Sequence, residues 1–433
     1  MKKKLLPLII FLSAFPLLTN AQDTLSYNKS FTDKVMLNNL SLRKDLFELE
    51  LARAEYYRTN NFFPKYPDID LEYSTDKFNE DKGSNNFTAK ITQEIELGGQ
   101  FSKRNTISGY RIKTAEAELE FRKNEILYNV RSTINSIAIS RLRLNTAQEI
   151  QQLNEALLAS AERRLGAGDI SQLEFNLVQI DVNNSRVDLK NLETELSNRE
   201  ATLNALSGLD VKINYFMSSD TSFKRINISL ADITKKALEN RSDLKALEYE
   251  ISIANSEASL FRSENIPSLR LSFGLTRGTN VINGDDIQGQ HNISKIVDRE
   301  KSLAFGLGFS LPLPFSGLYN TNSGNIMISE IKVKQKNAEA ELIKKQIVSE
   351  AVTYYNKLQT SQSNLMLLQT NNELIENTIL LLNRGYEKGE ISIMNYLTQK
   401  QKLYEMRFKY IEALEEQSQA ITELERITQT KLY

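Results

Sequence analysis

The chain contains no cysteine and no tryptophan, and only one histidine, His291. These absences exclude disulfide frameworks, thiol nucleophiles and the usual zinc sites, and any Ser-His-Asp arrangement would have one imidazole to use. Proline and glycine are scarce as well, 7 and 17 in 433 residues. So few breakers imply long uninterrupted elements. Neither charge sign is in excess, with 54 Lys and Arg against 55 Asp and Glu. A nucleic-acid binder normally carries a basic surplus or stripe, so no nucleic-acid partner is expected. Length alone, at about 150 residues per domain, suggests three domains.

Long apolar runs are missing except at the start. Lys2, Lys3 and Lys4 precede an apolar stretch from Leu5 to Leu18, and Thr19-Asn20-Ala21 follows. Residues 1–21 therefore read as a signal peptide cleaved before Gln22. The stretch is shorter than the ~20 residues that a spanning helix needs. With no cysteine behind it, the lipoprotein route is closed. No later segment is long and apolar enough for a membrane helix, so membrane entry would have to be as β-strands.

What is present is a duplication. Thr114–Leu119 reads TAEAEL and Asn337–Leu342 reads NAEAEL. Arg163–Ser171, RRLGAGDIS, matches Arg384–Ser392, RGYEKGEIS, and 163 to 384 is an offset of 221. Between these matches Val130, Ile137, Leu144, Gln151, Leu158 and Leu165 recur every seven residues. The same offset carries them onto Ala351, Leu358, Leu365, Asn372, Ile379 and Tyr386, with the polar slot in the same place. Beyond the glycine turn, Phe175, Val182, Leu189, Leu196 and Leu203 map onto Tyr396, Leu403, Tyr410, Gln417 and Leu424. A seven-residue repeat sustained this far implies helices packed side by side as coiled coils. The chain divides into residues 22–215 and 216–433, two copies of one plan rather than three domains.

Each copy also holds period-2 segments. Ile69, Leu71 and Tyr73 alternate with Asp68, Asp70 and Glu72, and Leu303, Phe305, Leu307 and Phe309 alternate with small residues. Four strands are expected, at about 67–75, 87–97, 268–277 and 302–312. Pro64 and Pro267 mark the entry to the first strand of each copy, Gly98-Gly99 follow the second, and Pro312 and Pro314 end the fourth. The pattern suits transmembrane β-strands; a soluble hairpin with one buried face would show the same alternation. Each copy then reads helix, β-hairpin, very long helix, glycine turn, long helix.

A helix of some sixty residues spans ~90 Å, and its apolar stripe needs neighbours. Four strands cannot close a barrel, for which ~8 is the practical minimum, and open edges are not tolerated in lipid. Oligomerisation repairs both deficits. Two chains would give eight strands and a filled interior, and three would give twelve with room for an aqueous lumen. Three is the favoured number.

The order of these features resembles the TolC family of outer-membrane efflux channels across residues 30–430. Ile91–Arg104, ITQEIELGGQFSKR, and Gly308–Ile326, GFSLPLPFSGLYNTNSGNI, are similar to the CzcC-like heavy-metal branch. The resemblance implies a mainly α fold with membrane β. It also implies a homotrimer in outer-membrane lipid of a Gram-negative bacterium, with a shared twelve-stranded barrel and a periplasmic helical tunnel. Its partners would be a periplasmic adaptor and an inner-membrane pump of the resistance-nodulation-division type. The channel would conduct heavy-metal cations passively, with no cofactor and no enzymatic step.

The adaptor-docking tips are expected at Leu165, Gly166, Ala167 and Gly168, and at Tyr386, Glu387, Lys388 and Gly389. Glycine there supplies the positive φ that ends a helix. A hairpin with no partner role is the plainer reading of the same residues. Candidate periplasmic-aperture residues are Asp169, Glu174, Glu390, Asn395 and Thr398; a solvated helix face is the alternative, and Asn395 and Thr398 are neutral where the family often has acids. His291 and Asp285-Asp286 read as parts of an exposed loop. No catalytic constellation and no metal site is found. The competing functions are a drug or protein-secretion channel and a secreted coiled-coil fibre.

Overall fold

The computed structural model describes residues 29–61, 63, 66–75, 83–208, 222–283, 295–310 and 321–432. The signal segment, His291, Asp285-Asp286, Pro64, Pro312, Pro314 and the 215/216 boundary lie outside the described residues. The first copy contributes α1 (Lys29–Asn38), α2 (Leu40–Thr59), β1 (Asp68–Thr75), β2 (Gly83–Glu96), α3 (Gln100–Ala167) and α4 (Gln172–Ser207). The second contributes α5 (Leu230–Asn240), α6 (Ser242–Ser263), β3 (Ser268–Asn283), β4 (Lys295–Ser310), α7 (Thr321–Glu387) and α8 (Ile393–Thr428). Helices α3 and α7 hold 68 and 67 residues, and α4 and α8 hold 36 each.

Two compact units emerge, each drawing on both copies. One comprises the chain up to Leu40, Ile126–Arg225 and Lys357–Thr422; the other comprises Ser41–Glu125, Ile226–Asn356 and Glu423–Tyr433. The boundary between compact bodies therefore does not follow the boundary between copies.

In the first unit the seven-residue series forms the packed seam: Val130, Ile137, Val182, Leu203, Leu358 and Leu365 are all buried. Each such side chain contributes about 1.5–3 kcal/mol by leaving water. Gln417, the polar member of the series on α8, is buried too. Its carboxamide accepts the Lys224 N–H at 3.2 Å and donates to the Lys224 carbonyl at 2.7 Å, capturing an extended segment against α8. The sequence plan allowed one helix before each hairpin, and two are present. The break between α1 and α2 falls at Asn39, whose Nδ2 donates to the Leu206 carbonyl at 2.7 Å.

In the second unit α5 and α6 are separated at Arg241, which is extended, with φ −65° and ψ 122°. Its guanidinium is buried, forked onto Asp243 at 2.9 and 2.6 Å and stacked over Phe121. The four strands form one antiparallel sheet in the order β1-β2-β3-β4. β2, β3 and β4 extend beyond the segments marked by alternation, because backbone pairing continues towards the hairpin ends past the stretch where apolar and polar side chains alternate.

The register aligns the large apolar positions of the alternating segments on one face. Ile69, Ile91, Phe273 and Phe305 form one row, and Leu71, Ala89, Leu275 and Leu303 the next. The two phenylalanine rings lie 4.9 Å apart. Nothing among the described residues covers this face: Ile69 is 65% exposed and Phe305 84%. From Phe87 to Ile95 the apolar band runs about 26 Å along the strand. The opposite face carries Asp68, Asp70, Glu72, Glu94, Glu96 and Glu300 against only Lys90 and Arg270, amid serine, threonine and glycine. Where strands hand over to helices, Gln100 Nε2 donates to the Ser263 carbonyl at 2.9 Å, and Arg104 forks onto Glu96 at 2.8 and 2.5 Å. Gly98 is required there by space, since a Cβ would lie 2.6 Å from the Ser263 oxygen.

Candidate functional site at the helical tips

Both long helices end in the same motif. At the end of α3, the Gly168 N–H donates to the Leu165 carbonyl at 3.0 Å and the Asp169 N–H to the Arg164 carbonyl at 2.8 Å. At the end of α7, Gly389 N–H reaches the Tyr386 carbonyl at 3.0 Å and Glu390 N–H the Gly385 carbonyl at 2.9 Å. These pairs satisfy carbonyls that a helix end otherwise leaves open, and they need a left-handed residue. Gly168 and Gly389 supply it, both with φ 77°.

The two turns share one apolar core. Leu157, Ala161, Ile170, Val178 and Val182 of the first copy pack with Tyr386, Ile393 and Tyr396 of the second. The Tyr386 and Tyr396 rings stand 4.9 Å apart, and the Arg164 guanidinium lies over Tyr386. Of the expected tip residues, Gly166, Ala167, Gly168, Glu387, Lys388 and Gly389 are exposed, Leu165 is half-buried and Tyr386 is buried. Tyr386 thus supports the tip from inside and does not present a surface.

The aperture candidates have distinct places. Glu174 closes a capping box on α4: its carboxylate accepts the Ser171 N–H at 2.8 Å and the Ser171 hydroxyl at 3.0 Å, while Ser171 Oγ accepts the Glu174 N–H at 3.2 Å. The Ser171 backbone and hydroxyl donors hold the Glu174 carboxyl below the usual carboxylate range. In the second copy Ser392 Oγ accepts the Asn395 N–H at 3.4 Å, and Asn395 supplies no return carboxylate. The Thr398 hydroxyl donates to the Met394 carbonyl of its own helix at 2.8 Å. Asp169 and Glu390 are exposed, each immediately after its left-handed glycine.

Sequence reasoning missed the polar centre of this bundle. Lys400, 3% exposed, donates to Asp181 Oδ2 at 2.5 Å and to Asn154 Oδ1 at 2.7 Å, and its ammonium lies 5.6 Å from the Tyr396 ring centre. Burial pushes the Lys400 ammonium below the ordinary lysine range, with Asp181 opposing. Burial likewise raises the neighbouring Tyr404 hydroxyl, to about 12. The available signal was a lysine inside the apolar stripe Ile393, Tyr396, Lys400, Tyr404. Further along the same bundle, Glu415 accepts from Arg143 and Arg199, each at 2.8 Å, and Arg199 also reaches Glu195 at 2.6 Å.

Among the described residues no group of three or more His, Cys, Asp or Glu is placed to hold a metal ion, and no helix is long and apolar enough to cross a membrane. The tips offer hydrogen-bonding and charged surface, and the sheet offers one apolar and one acidic face.

Similarity to known proteins agrees with this construction. The outer membrane efflux protein family pattern matches residues 32–209 and 233–429, one stretch in each copy. The cobalt-zinc-cadmium resistance protein CzcC of Cupriavidus metallidurans is 23% identical over 348 residues, 80% of this chain and 78% of that protein. The solved structure of CusC superposes with a TM-score of 0.74 at 18% identity, covering 95% of each chain. The Campylobacter jejuni CmeC outer membrane channel superposes at 0.72 with 14% identity, over 98% of this chain and 94% of that one. The two solved structures share the long helices and small antiparallel sheet of this chain. The chain belongs to the outer membrane efflux protein family.

Proposed function

We propose that three copies of this chain form a passive outer-membrane conduit in a Gram-negative bacterium, and that its cargo is heavy-metal cations. The observation that carries the reading is the sheet: four strands with β1 and β4 unpaired on their outer edges among the described residues, and a bare apolar face. Unpaired backbone is not tolerated in hydrocarbon, so such a sheet enters a bilayer only within a closed barrel. Three copies supply twelve strands, the apolar rows facing lipid and the carboxylate-rich face lining the lumen.

The lumen charge supports cation cargo. The excess of carboxylates over cations on that face among the described residues would concentrate cations and repel anions. Similarity to a cobalt-zinc-cadmium resistance protein points the same way. Asp169 and Glu390 add exposed carboxylates at the tips, where Glu174, Asn395 and Thr398 complete the candidate aperture. The exposed tip residues Gly166, Ala167, Gly168, Glu387, Lys388 and Gly389 are where a periplasmic adaptor would dock, linking the conduit to an inner-membrane pump of the resistance-nodulation-division type. Leu165 and Tyr386 would hold the tips in shape.

The direct test is growth of a deletion strain on cobalt, zinc, cadmium and copper salts beside a drug panel. Metal sensitivity restored by the intact gene supports the reading; sensitivity to drugs alone moves the cargo to organic molecules. Photo-crosslinkers at Ala167 and Lys388 should capture the adaptor, and capture of none removes the docking role.

A further inference from the structure

The apolar face of the sheet ends in cations. In the row beyond Leu275 and Leu303, Arg277 on β3 stands directly opposite Lys301 on β4, and Arg299 pairs with Thr279 one row further. The same row continues through Phe87 to Tyr73. All three cations are exposed, and no carboxylate shares this face among the described residues. Every carboxylate of the described sheet projects from the other side.

That arrangement is unfavourable by itself. Directly opposed side chains on a sheet stand about 5 Å apart and diagonal ones about 7–8 Å apart, and like charges so placed repel. Because β3 and β4 alternate strictly here, the carboxylates of the opposite face cannot fold round to neutralise them. The row also lies on the hairpin side of the apolar rows, away from the helices that follow β2 and precede β3, and the next row holds Thr75, Asn85, Thr279 and Arg299. Aromatic rings and cations at that level match the headgroup region of a bilayer.

We infer that Arg277, Lys301 and Arg299 form a binding site for the phosphate of a lipid headgroup in the leaflet reached by the hairpins. A phosphate seated between Arg277 and Lys301 would turn repulsion into two charge-assisted hydrogen bonds, with Arg299 as a third donor. The acyl chains would then lie on the apolar rows below, which a free phosphate ion could not use. The site rests on the barrel reading given above.

The test uses the full-length protein reconstituted into phosphatidylcholine vesicles doped with fluorescent phosphatidic acid. Energy transfer from the protein to the labelled lipid reports local enrichment. For the intact chain, enrichment about tenfold above that of the combined Arg277→Gln, Arg299→Gln, Lys301→Gln variant is expected. Raising salt should reduce it in the intact chain, a control that needs no variant to fold. Equal enrichment in chains that both insert and conduct overturns the inference and leaves the channel reading standing. Failure of the intact chain to insert overturns both. Loss of enrichment on adding inorganic phosphate at constant ionic strength would assign the row to a soluble anion and overturn the lipid assignment.

Discussion

Lys400 Nζ lies 2.5 Å from Asp181 Oδ2, an ion pair between the two copies of the duplicated plan inside the tip bundle. The two partners are unequally buried, the lysine side chain 4% exposed and the aspartate 30%. Removing the carboxylate leaves a buried ammonium with only the neutral Asn154 amide and the Tyr396 ring, whereas removing the ammonium leaves a carboxylate that water can reach. Asp181→Ala should therefore cost about 3 kcal/mol and Lys400→Met clearly less. The combined Lys400→Met, Asp181→Leu variant should recover most of the loss. Thermal melting of the detergent-purified protein, followed by helical circular dichroism, orders the three; equal effects of the single changes would contradict this asymmetry.

The tip glycines separate by conformation. Gly168 and Gly389 hold φ 77°, while a Cβ on Gly166 would meet nothing within 4 Å. Gly168→Ala or Gly389→Ala should cost about 1–2 kcal/mol and speed amide exchange through the adjoining turn. Gly166→Ala, inside the helix, should be neutral or stabilising by up to ~1 kcal/mol. Hydrogen exchange at the turns checks both directions.

Glu174 makes the two tips respond differently to acid. Its folded carboxyl titrates below the usual range, held there by Ser171. The stabilisation is therefore full above the ordinary carboxylate value and is lost as pH falls through the lowered folded value. The first turn of α4 should fray as pH falls below the ordinary carboxylate value and through the lowered folded one, while that of α8, capped by Ser392 without a carboxylate partner, should not change over that window. Glu174→Gln should remove the pH dependence. Exchange rates over 169–178 and 390–399 at several pH values decide it.

Much of this was legible in advance. Strand alternation and the seven-residue series place both faces of the sheet and the packed seam, because burial imposes periods of 2 and about 3.5 on a sequence. The glycine turns were legible from their spacing after arginine. The breaks at Asn39 and Arg241 were not, since each depends on a partner distant in sequence or on a buried guanidinium. Gln417 looked like a lapse in the series, yet it satisfies a backbone segment beginning some 190 residues earlier. Lys400 was hidden for the same reason: its partners Asp181 and Asn154 come from the other copy, and no local pattern announces them. Position in the sequence marks Glu174 as an aperture candidate, and the structure adds its bonds to Ser171, three residues before it.

The sheet faces should tolerate charge very differently. Phe305 sits in the middle row of the apolar face, and Ser302 on the opposite face. Phe305→Arg should cost about 2–4 kcal/mol of membrane insertion, as for a cation at mid-bilayer, and Ser302→Arg little. The yield of heat-modifiable oligomer in the outer-membrane fraction reports the difference, and equal yields would contradict lipid contact on the phenylalanine side.

The proposed shared barrel and acidic lumen are tested most directly by single-channel recording of the purified protein in a planar bilayer under a salt gradient. Discrete conductance steps with a cation-selective reversal potential are expected, and Asp70→Asn with Glu72→Gln should move that potential towards zero. An absence of steps from correctly folded, membrane-inserted protein, or a potential of anion-selective sign, would contradict the proposed conduit.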